Sequence, residues 1–181
     1  MNNIEFEIIN YSPLDENELV LKNRMIQFYR NSHNPTSRDN KIGHFTSSAF
    51  VVSPDYSKFL LIFHKKLGFW MQPGGHIENN ETIKESALRE AIEETGYLNL
   101  KILSNEIYDI DIHKIPAFNN EPSHYHYDIR YLFWAENLES NSKAEEQFEW
   151  FYFHQDLSHL NLEYSVEKMI KKFKLPKPAT D

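Results

Sequence analysis

Residues 89–96 read Arg-Glu-Ala-Ile-Glu-Glu-Thr-Gly, and the acids in this stretch, Glu90, Glu93 and Glu94, are the side chains best spaced to do chemistry together. Thr82-Ile83-Lys84-Glu85 has the spacing of a capping box, and Gly96 suits a left-handed C-terminal cap, so the pattern predicts a helix over 82–95 that stops at Gly96. The acids then stand at the wrong end. A helix C-terminus favours cations: each carboxylate there costs roughly 0.3–1 kcal/mol, and the Glu90/Glu94 pair adds roughly 0.2–0.5 kcal/mol of like-charge repulsion. At about 100° per residue, with Glu90 at zero, Glu94 falls near +40° and Glu93 near −60°, while Leu88 and Ile92 fall opposite, at about 160° and 200°. The wheel predicts one face that packs and another that gathers carboxylates. Three acids within about 100° of arc, with backbone carbonyls of the Gly74-Gly75 loop close by, make an all-oxygen site suited to a hard dication such as Mg2+. A bound cation would offset the dipole cost. Taken alone, a Glu-rich helix end reads instead as a solvated face.

Other elements must hold this helix in place. Ser12-Pro13-Leu14-Asp15 has the form of an N-cap, a proline at the first helical position and an early acid, predicting a helix to about Tyr29 with Leu14, Leu21, Met25 and Phe28 on one side. Phe45 to Ser53, the turn signal Pro54-Asp55 and Lys58 to His64 read as a β-hairpin. Further strands are expected over 98–113, with an interruption, over 125–135 and over 148–153, and a last helix over 162–173. The tail from Pro176 to Asp181 is expected to fray. Strands and helices mix without regular alternation, which predicts a mixed sheet with helices packed on it.

Composition limits the function classes. With 181 residues, 40% of them hydrophobic, the chain suits one domain with a full core. Its 19 basic and 27 acidic residues give a formal net charge of −8, which disfavours nucleic acid as the main partner. There is no cysteine, so disulfides, thiolate metal sites and a cysteine nucleophile are excluded. The acidic start lacks the pattern of a secretion signal, and the run Phe59 to Phe63 is too short to span a bilayer, so a soluble, cytoplasmic protein without a membrane partner is expected.

The stretch Gly75 to Tyr97 resembles the Nudix hydrolase box at every position: Gly75, Glu81, Arg89-Glu90, aliphatic Ala91, Glu93-Glu94, Gly96 and apolar Tyr97. Gln72-Pro73-Gly74 leads in as is common in that family, and Glu149-Trp150-Phe151 is similar to its tryptophan strand. The resemblance implies an α/β Nudix fold, a mixed β-sheet sandwiched between α-helices, here with an additional N-terminal helix. It implies a single domain: a helical extension over 1–42, a core over 43–160 and a C-terminal helix and tail over 161–181.

The activity implied is hydrolysis of a diphosphate bond in a small nucleotide-type substrate, a nucleoside diphosphate linked to another moiety. Such a substrate is itself anionic, so dications must stand between it and the acids, Mg2+ with Mn2+ as a substitute. By similarity Glu90 and Glu94 hold the metal, with Glu93 as a third or water-mediated ligand and the Gly75 carbonyl completing a shell. Arg89 orients a neighbouring glutamate, and Glu81 serves the loop structurally. Family members differ in the general base: some use the Glu90 position, others an acid beyond the box, for which Glu145 and Glu146 are the candidates.

His76, His124 and His126 are candidate substrate contacts. His124, His126 and Asp128 alternate to one side of a strand, the spacing of a two-histidine, one-carboxylate metal set, although lining a cleft is the more ordinary role. Phe69, Trp70, Phe118, Tyr125 and Tyr127 are able to stack on a base, against the ordinary fate of filling the core. The first forty residues are expected to cap the site or form a homodimer contact. Three alternatives remain: a noncatalytic Nudix-fold nucleotide sensor, against which the complete set of box acids argues; an isomerase of the same fold, which resembles chemistry needing a cysteine; and removal of the terminal diphosphate from RNA, which would call for a basic track that neither the net charge nor a Lys/Arg cluster supplies.

Overall fold

The structure, a computed structural model, describes residues 4–97, 99–119, 121–138 and 143–174. The predicted fraying of the tail from Pro176 lies outside the described residues. The chain opens with two helices rather than one, α1 (Ile4–Asn10) and α2 (Glu16–Asn31). The N-cap of α2 is Asp15, not Ser12: its carboxylate accepts from the Glu18 N–H at 2.8 Å. Residues 11–14 fold back on α2 instead, because the buried Glu18 carboxylate accepts from the Tyr11 hydroxyl at 2.6 Å and the Leu14 N–H at 2.9 Å. Leu14 therefore leaves the predicted apolar stripe and is 66% exposed, whereas Met25 is fully buried. With seven residues, α1 is too short to announce itself by periodicity. It is held by burial of Ile4 and Ile8 and by Lys22, whose ammonium donates to the carbonyls of Ile9 and Tyr11 at 2.7 Å each.

Among the described residues eight strands follow: β1 (Gly43–Val52), β2 (Lys58–His64), β3 (Phe69–Met71), β4 (Gly74–His76), β5 (Leu100–Ile102), β6 (Asp109–Ile115), β7 (His124–Ala135) and β8 (Gln147–Tyr152). Helix α3 (Ile83–Thr95) lies between β4 and β5, and α4 (Tyr164–Lys172) closes the described chain. The interruption expected within 98–113 is the loop between β5 and β6. The sheet is mixed: β1 runs parallel to β7 and antiparallel to β2 and β4. The predicted hairpin forms, but β1 leaves β2 after the Val52–Phe59 pair and β4 takes over the same edge at Thr46–Ser48. β2 goes on to carry β3 and β8, and β7 carries β5 and β6.

Alternate residues of β1 and β7 point to opposite faces. On one face Phe45, Ala49 and Val51 of β1 and Tyr127, Ile129, Tyr131 and Phe133 of β7 join Ile83, Ala87 and Ala91 of α3 and Ile8 and Met25 of the N-terminal helices in a single core. On the other, Phe50, Val52 and Leu132 pack with Val166, Met169 and Ile170 of α4. Further along that second face the apolar residues give way to polar ones: Arg130, 1% exposed, bonds Asp128 at 2.9 Å and Asp109 at 3.0 Å. Lys168 and Lys172 of α4 add charge to Asp109 and Glu18, tying α4 to β6 and α2. Among the described residues no helix is long and apolar enough to cross a membrane.

Candidate functional site

Helix α3 has both predicted ends. Thr82 and Glu85 form the reciprocal capping box, and Gly96 takes the left-handed cap at φ 70°. The prediction that the carboxylates occupy the face opposite the packed one is overturned. The buried residues of α3 are Ile83, Ser86, Ala87, Ala91 and Thr95, an arc that includes the directions of Glu90 and Glu94, while Leu88 and Ile92 are only half-buried at its rim. Small residues let α3 approach β1 and β4 closely, and a wheel weighted by Leu and Ile does not see them. Glu90 is consequently 15% exposed at its side chain, whereas Glu93 is 45% exposed.

The structure shows what offsets acids at this helix end. Arg89 donates to Glu81 at 2.7 Å, Glu90 at 2.8 Å, Glu93 at 3.0 Å and the His76 carbonyl at 2.9 Å, so one guanidinium ties the helix, its acids and the preceding loop together. Glu94 turns to β4 and accepts the Gly74 N–H at 2.9 Å. The last carbonyls of α3 are capped by the loop before β8, where the N–H groups of Glu145 and Glu146 donate to Glu93 and Glu94 at 3.1 and 3.2 Å. That contact brings two further acids to the same end. Burial, reinforced by the charges of Glu90, Glu146 and Glu145 against the opposing Gly74 N–H, pushes Glu94 up to about 8. Burial also raises Glu90, although Arg89 opposes it.

The donors at this helix end are all oxygen, the chemistry a hard dication takes. The Oε2 of Glu146 is buried without a hydrogen bond, Lys65 standing 3.3 Å away outside hydrogen-bonding geometry. With the carboxylates of Glu90 and Glu94 it offers oxygen donors alone. Arg89 and the Gly74 N–H keep the box acids from closing on one another, and among the described residues they do not form a three-ligand set at metal-binding distances.

Gly75 is where the loop meets the acids. A Cβ there would stand 2.5 Å from the carboxyl carbon of Glu90, whereas one on Gly74 would stand 2.8 Å from the Ser47 carbonyl and the Ser48 Cα. The first clash is with the end of a side chain and the second with backbone. Gly75→Ala is therefore expected to displace Glu90 and cut turnover by roughly tenfold or more with little change in melting temperature. Gly74→Ala is expected to lower the melting temperature itself, so thermal melts beside rate assays separate the two.

His76 turns to the opposite face of the sheet from Glu90, where it meets His44 of β1 and His126 of β7, and His126 in turn meets His113 of β6. β1 pairs His44 with His126 of β7, and β6 pairs His113 with the same residue. Ring centroids of His44 stand 4.9 Å from His76, 5.1 Å from His124 and 4.8 Å from His126. Burial first, then the neighbouring rings and Arg38, hold His44 down to about 4 and His76 to about 3. Burial and the surrounding histidines hold His126 down to about 2. Asp128 is not a partner of this group. It is 2% exposed and takes Thr46, Ser48, Gln72 and Arg130 instead.

Sequence reasoning missed His44 and Arg38. Only the parallel register of β1 on β7 brings His44 to the cluster. Arg38 sits in the loop after α2 and acts electrostatically on Glu90, His44 and His76. That loop, residues 34–39, forms with residues 77–81 an open groove of about 1080 Å3. Of the candidate stacking residues, Tyr127 is buried against Phe28 and Trp70 packs on Phe151, while Phe118 and Tyr125 remain exposed.

The family assignment follows. Residues 44–173 match the NUDIX domain model, and the chain belongs to that family. Among curated relatives, a Lactococcus lactis subsp. cremoris (strain MG1363) protein provisionally named a DHNTP pyrophosphohydrolase is 36% identical over 98 residues, 52% of this chain and 56% of the relative. A Bacillus subtilis (strain 168) protein provisionally named an 8-oxo-dGTP diphosphatase is 35% identical over 78 residues, 42% of this chain and 49% of the relative. The chain thus spans about half the length of these two relatives. Among solved structures, the MutT protein from Methanosarcina mazei Go1 superposes with a TM-score of 0.54 at 19% identity, covering 74% of this chain and 94% of that one, which shows the shared fold.

Proposed function

We propose that this protein is a Mg2+-dependent pyrophosphohydrolase that cleaves a diphosphate bond in a small nucleotide-type substrate. The observation that carries the reading is the meeting, at one helix end, of Glu90 and Glu94 with the Glu146 carboxylate, whose buried Oε2 has no hydrogen bond and only the Lys65 charge at 3.3 Å. The chemistry a dication supplies in such a site is neutralisation of the diphosphate, polarisation of its phosphoryl oxygens and acidification of a water. Glu90 and Glu94, with Glu93 at the exposed rim, would hold it, and the Gly75 backbone lies beside Glu90. Arg89 positions Glu90 and Glu93. Glu146 is the better-placed general base of the two loop acids, being half-buried where Glu145 is exposed. It would take the proton from the attacking water as the water oxygen bonds to phosphorus and the bridging P–O bond breaks.

Arg38, in the loop that overhangs the box, supplies positive charge for the phosphates. The remainder of the substrate would lie across the β4 edge, toward His76, His124 and His126. The relatives' names, with DHNTP and 8-oxo-dGTP as their substrates, point to a nucleoside-like triphosphate with a bicyclic base. A panel of such triphosphates and of dinucleotides, with Mg2+, Mn2+ or a chelator and products identified by mass, tests the proposal. Metal-dependent release of pyrophosphate or a mononucleotide supports it, and absence of turnover across the panel refutes it.

The raised Glu90 and Glu94 make a second measurement informative. Since Glu94 holds its proton up to about pH 8, metal uptake at neutral pH must expel it. Mg2+ titration calorimetry near about pH 7 is expected to give heats that change with the buffer's ionisation enthalpy, and near about pH 9 the buffer dependence should vanish.

A further inference from the structure

The histidine cluster is built like a second metal site. His44, His124 and His126 each offer one ring nitrogen, and the three atoms lie within 4.8 Å of one another. The Nε2 atoms of His124 and His126 are 3.3 Å apart. That spacing is the edge of a tetrahedron whose metal–nitrogen bonds are about 2.0–2.1 Å, an edge of roughly 3.3–3.4 Å. His124 Nδ1 stands 3.0 Å from the Pro122 carbonyl. A carbonyl only accepts, so Nδ1 carries the proton and Nε2 presents a lone pair to the cluster. A backbone carbonyl holding the far nitrogen in this way is the usual outer support of a metal-ligating histidine.

His44 supplies an independent observation. It is 2% exposed, yet neither ring nitrogen has a partner at hydrogen-bonding geometry, the Asn40 backbone lying near the ring but outside it. A buried polar side chain without a partner is costly, and a bound ion accounts for it. Neutral imidazoles are poor ligands for Mg2+ and good ones for Zn2+, Co2+ and Ni2+. Asp128, two residues along β7 from His126, is engaged by Arg130, Ser48 and Thr46, and Asp111 is engaged by His113, so the three ring nitrogens are the donors the cluster offers.

We propose that His44, His124 and His126 form a second cation site, for a first-row transition dication of the zinc type, separate from the carboxylates of α3. Three protein ligands leave one position of a tetrahedron open, and the His76 ring stands beside the group, 4.9 Å from His44 and 5.2 Å from His126 between centroids.

The test uses the full chain, free of any polyhistidine tag, stripped of metal and then held in saturating Mg2+ while Co2+ is added. One equivalent is expected to bind with the intense visible band of tetrahedral nitrogen-ligated Co2+, and Zn2+ should displace it. His44→Ala and His124→Ala should each weaken Zn2+ binding by at least roughly tenfold, whereas Glu94→Gln should leave it unchanged. No uptake by the wild type, or uptake lost in Glu94→Gln and kept in the histidine variants, overturns the proposal. If near-ultraviolet circular dichroism shows His44→Ala to be unfolded, the half-buried His124 decides the matter alone.

Discussion

Glu94→Gln is expected to abolish most turnover, by roughly a hundredfold or more, while leaving the metal-free protein at least as stable as the wild type. The two effects share a cause. Burial and the charges of Glu90, Glu146 and Glu145 push Glu94 up to about 8, so near neutral pH the empty site favours a neutral side chain there. Glutamine has nearly the same shape, is always neutral, and can still accept the Gly74 N–H that Glu94 accepts at 2.9 Å. It cannot supply the charge that a dication needs. The sign of the pH dependence distinguishes this account from simple damage. A carboxyl whose folded value is raised binds more protons folded than unfolded, so its contribution is full below the unfolded value of 4.5 and is lost as pH rises through about 8. The buried histidines act in the opposite sense and lower down: held to about 4, 3 and 2, they make the protein gain stability as pH rises toward 6.5. At 6.5 the three histidines are still half-protonated in the unfolded chain, so the glutamate slope governs only above about pH 7.5. Urea midpoints of metal-free wild type should therefore fall between about pH 7.5 and 8.5, Mg2+ should remove the fall, and Glu94→Gln should be flat over that range. A falling curve in the glutamine variant would place the titrating group elsewhere.

What could be read from the sequence, and what could not, follows from the range of each interaction. The ends of α3 were legible because capping is local: Thr82, Glu85 and Gly96 announce them within a few residues. So was the gathering of acids, since spacing on one helix fixes it. The buried side of α3 was misread because tertiary packing chose small Ala87 and Ala91 over Leu88 and Ile92, which a single-helix wheel ranks first. The N-terminal region failed for a similar reason. Ser12-Pro13 satisfies every local rule for a helix start, yet Glu18, reaching back to Tyr11 and the Leu14 N–H, holds those residues outside the helix. The base candidates Glu145 and Glu146 came from the family pattern, and it took the backbone bonds to Glu93 and Glu94 to show how the loop reaches the site. His44 was out of reach altogether: it lies far from His126 in sequence, and only a parallel β1–β7 register brings them together.

Arg130→Met should cost roughly 3–5 kcal/mol. The guanidinium is 1% exposed and bonds Asp128 at 2.9 Å, Asp109 at 3.0 Å and the Ser165 carbonyl at 3.0 Å, joining β6, β7 and the start of α4. The damage lies in what is left behind rather than in the bonds removed. Asp109 is fully buried and keeps Lys168 at 3.0 Å and Lys172 at 3.3 Å, so it stays compensated. Asp128, 2% exposed, keeps only hydroxyl and amide donors and becomes the stranded charge. This asymmetry makes the test specific. Asp128→Asn added to Arg130→Met should recover roughly 1–3 kcal/mol, because asparagine removes the charge and still accepts from Thr46 and Ser48. Asp109→Asn added instead should recover nothing, since it leaves Asp128 stranded and takes from the two lysines one of the two carboxylates they share, the other being Glu18. Urea denaturation of the two double variants decides between them, and equal recovery by both would show that the network acts through bulk charge rather than through this particular carboxylate.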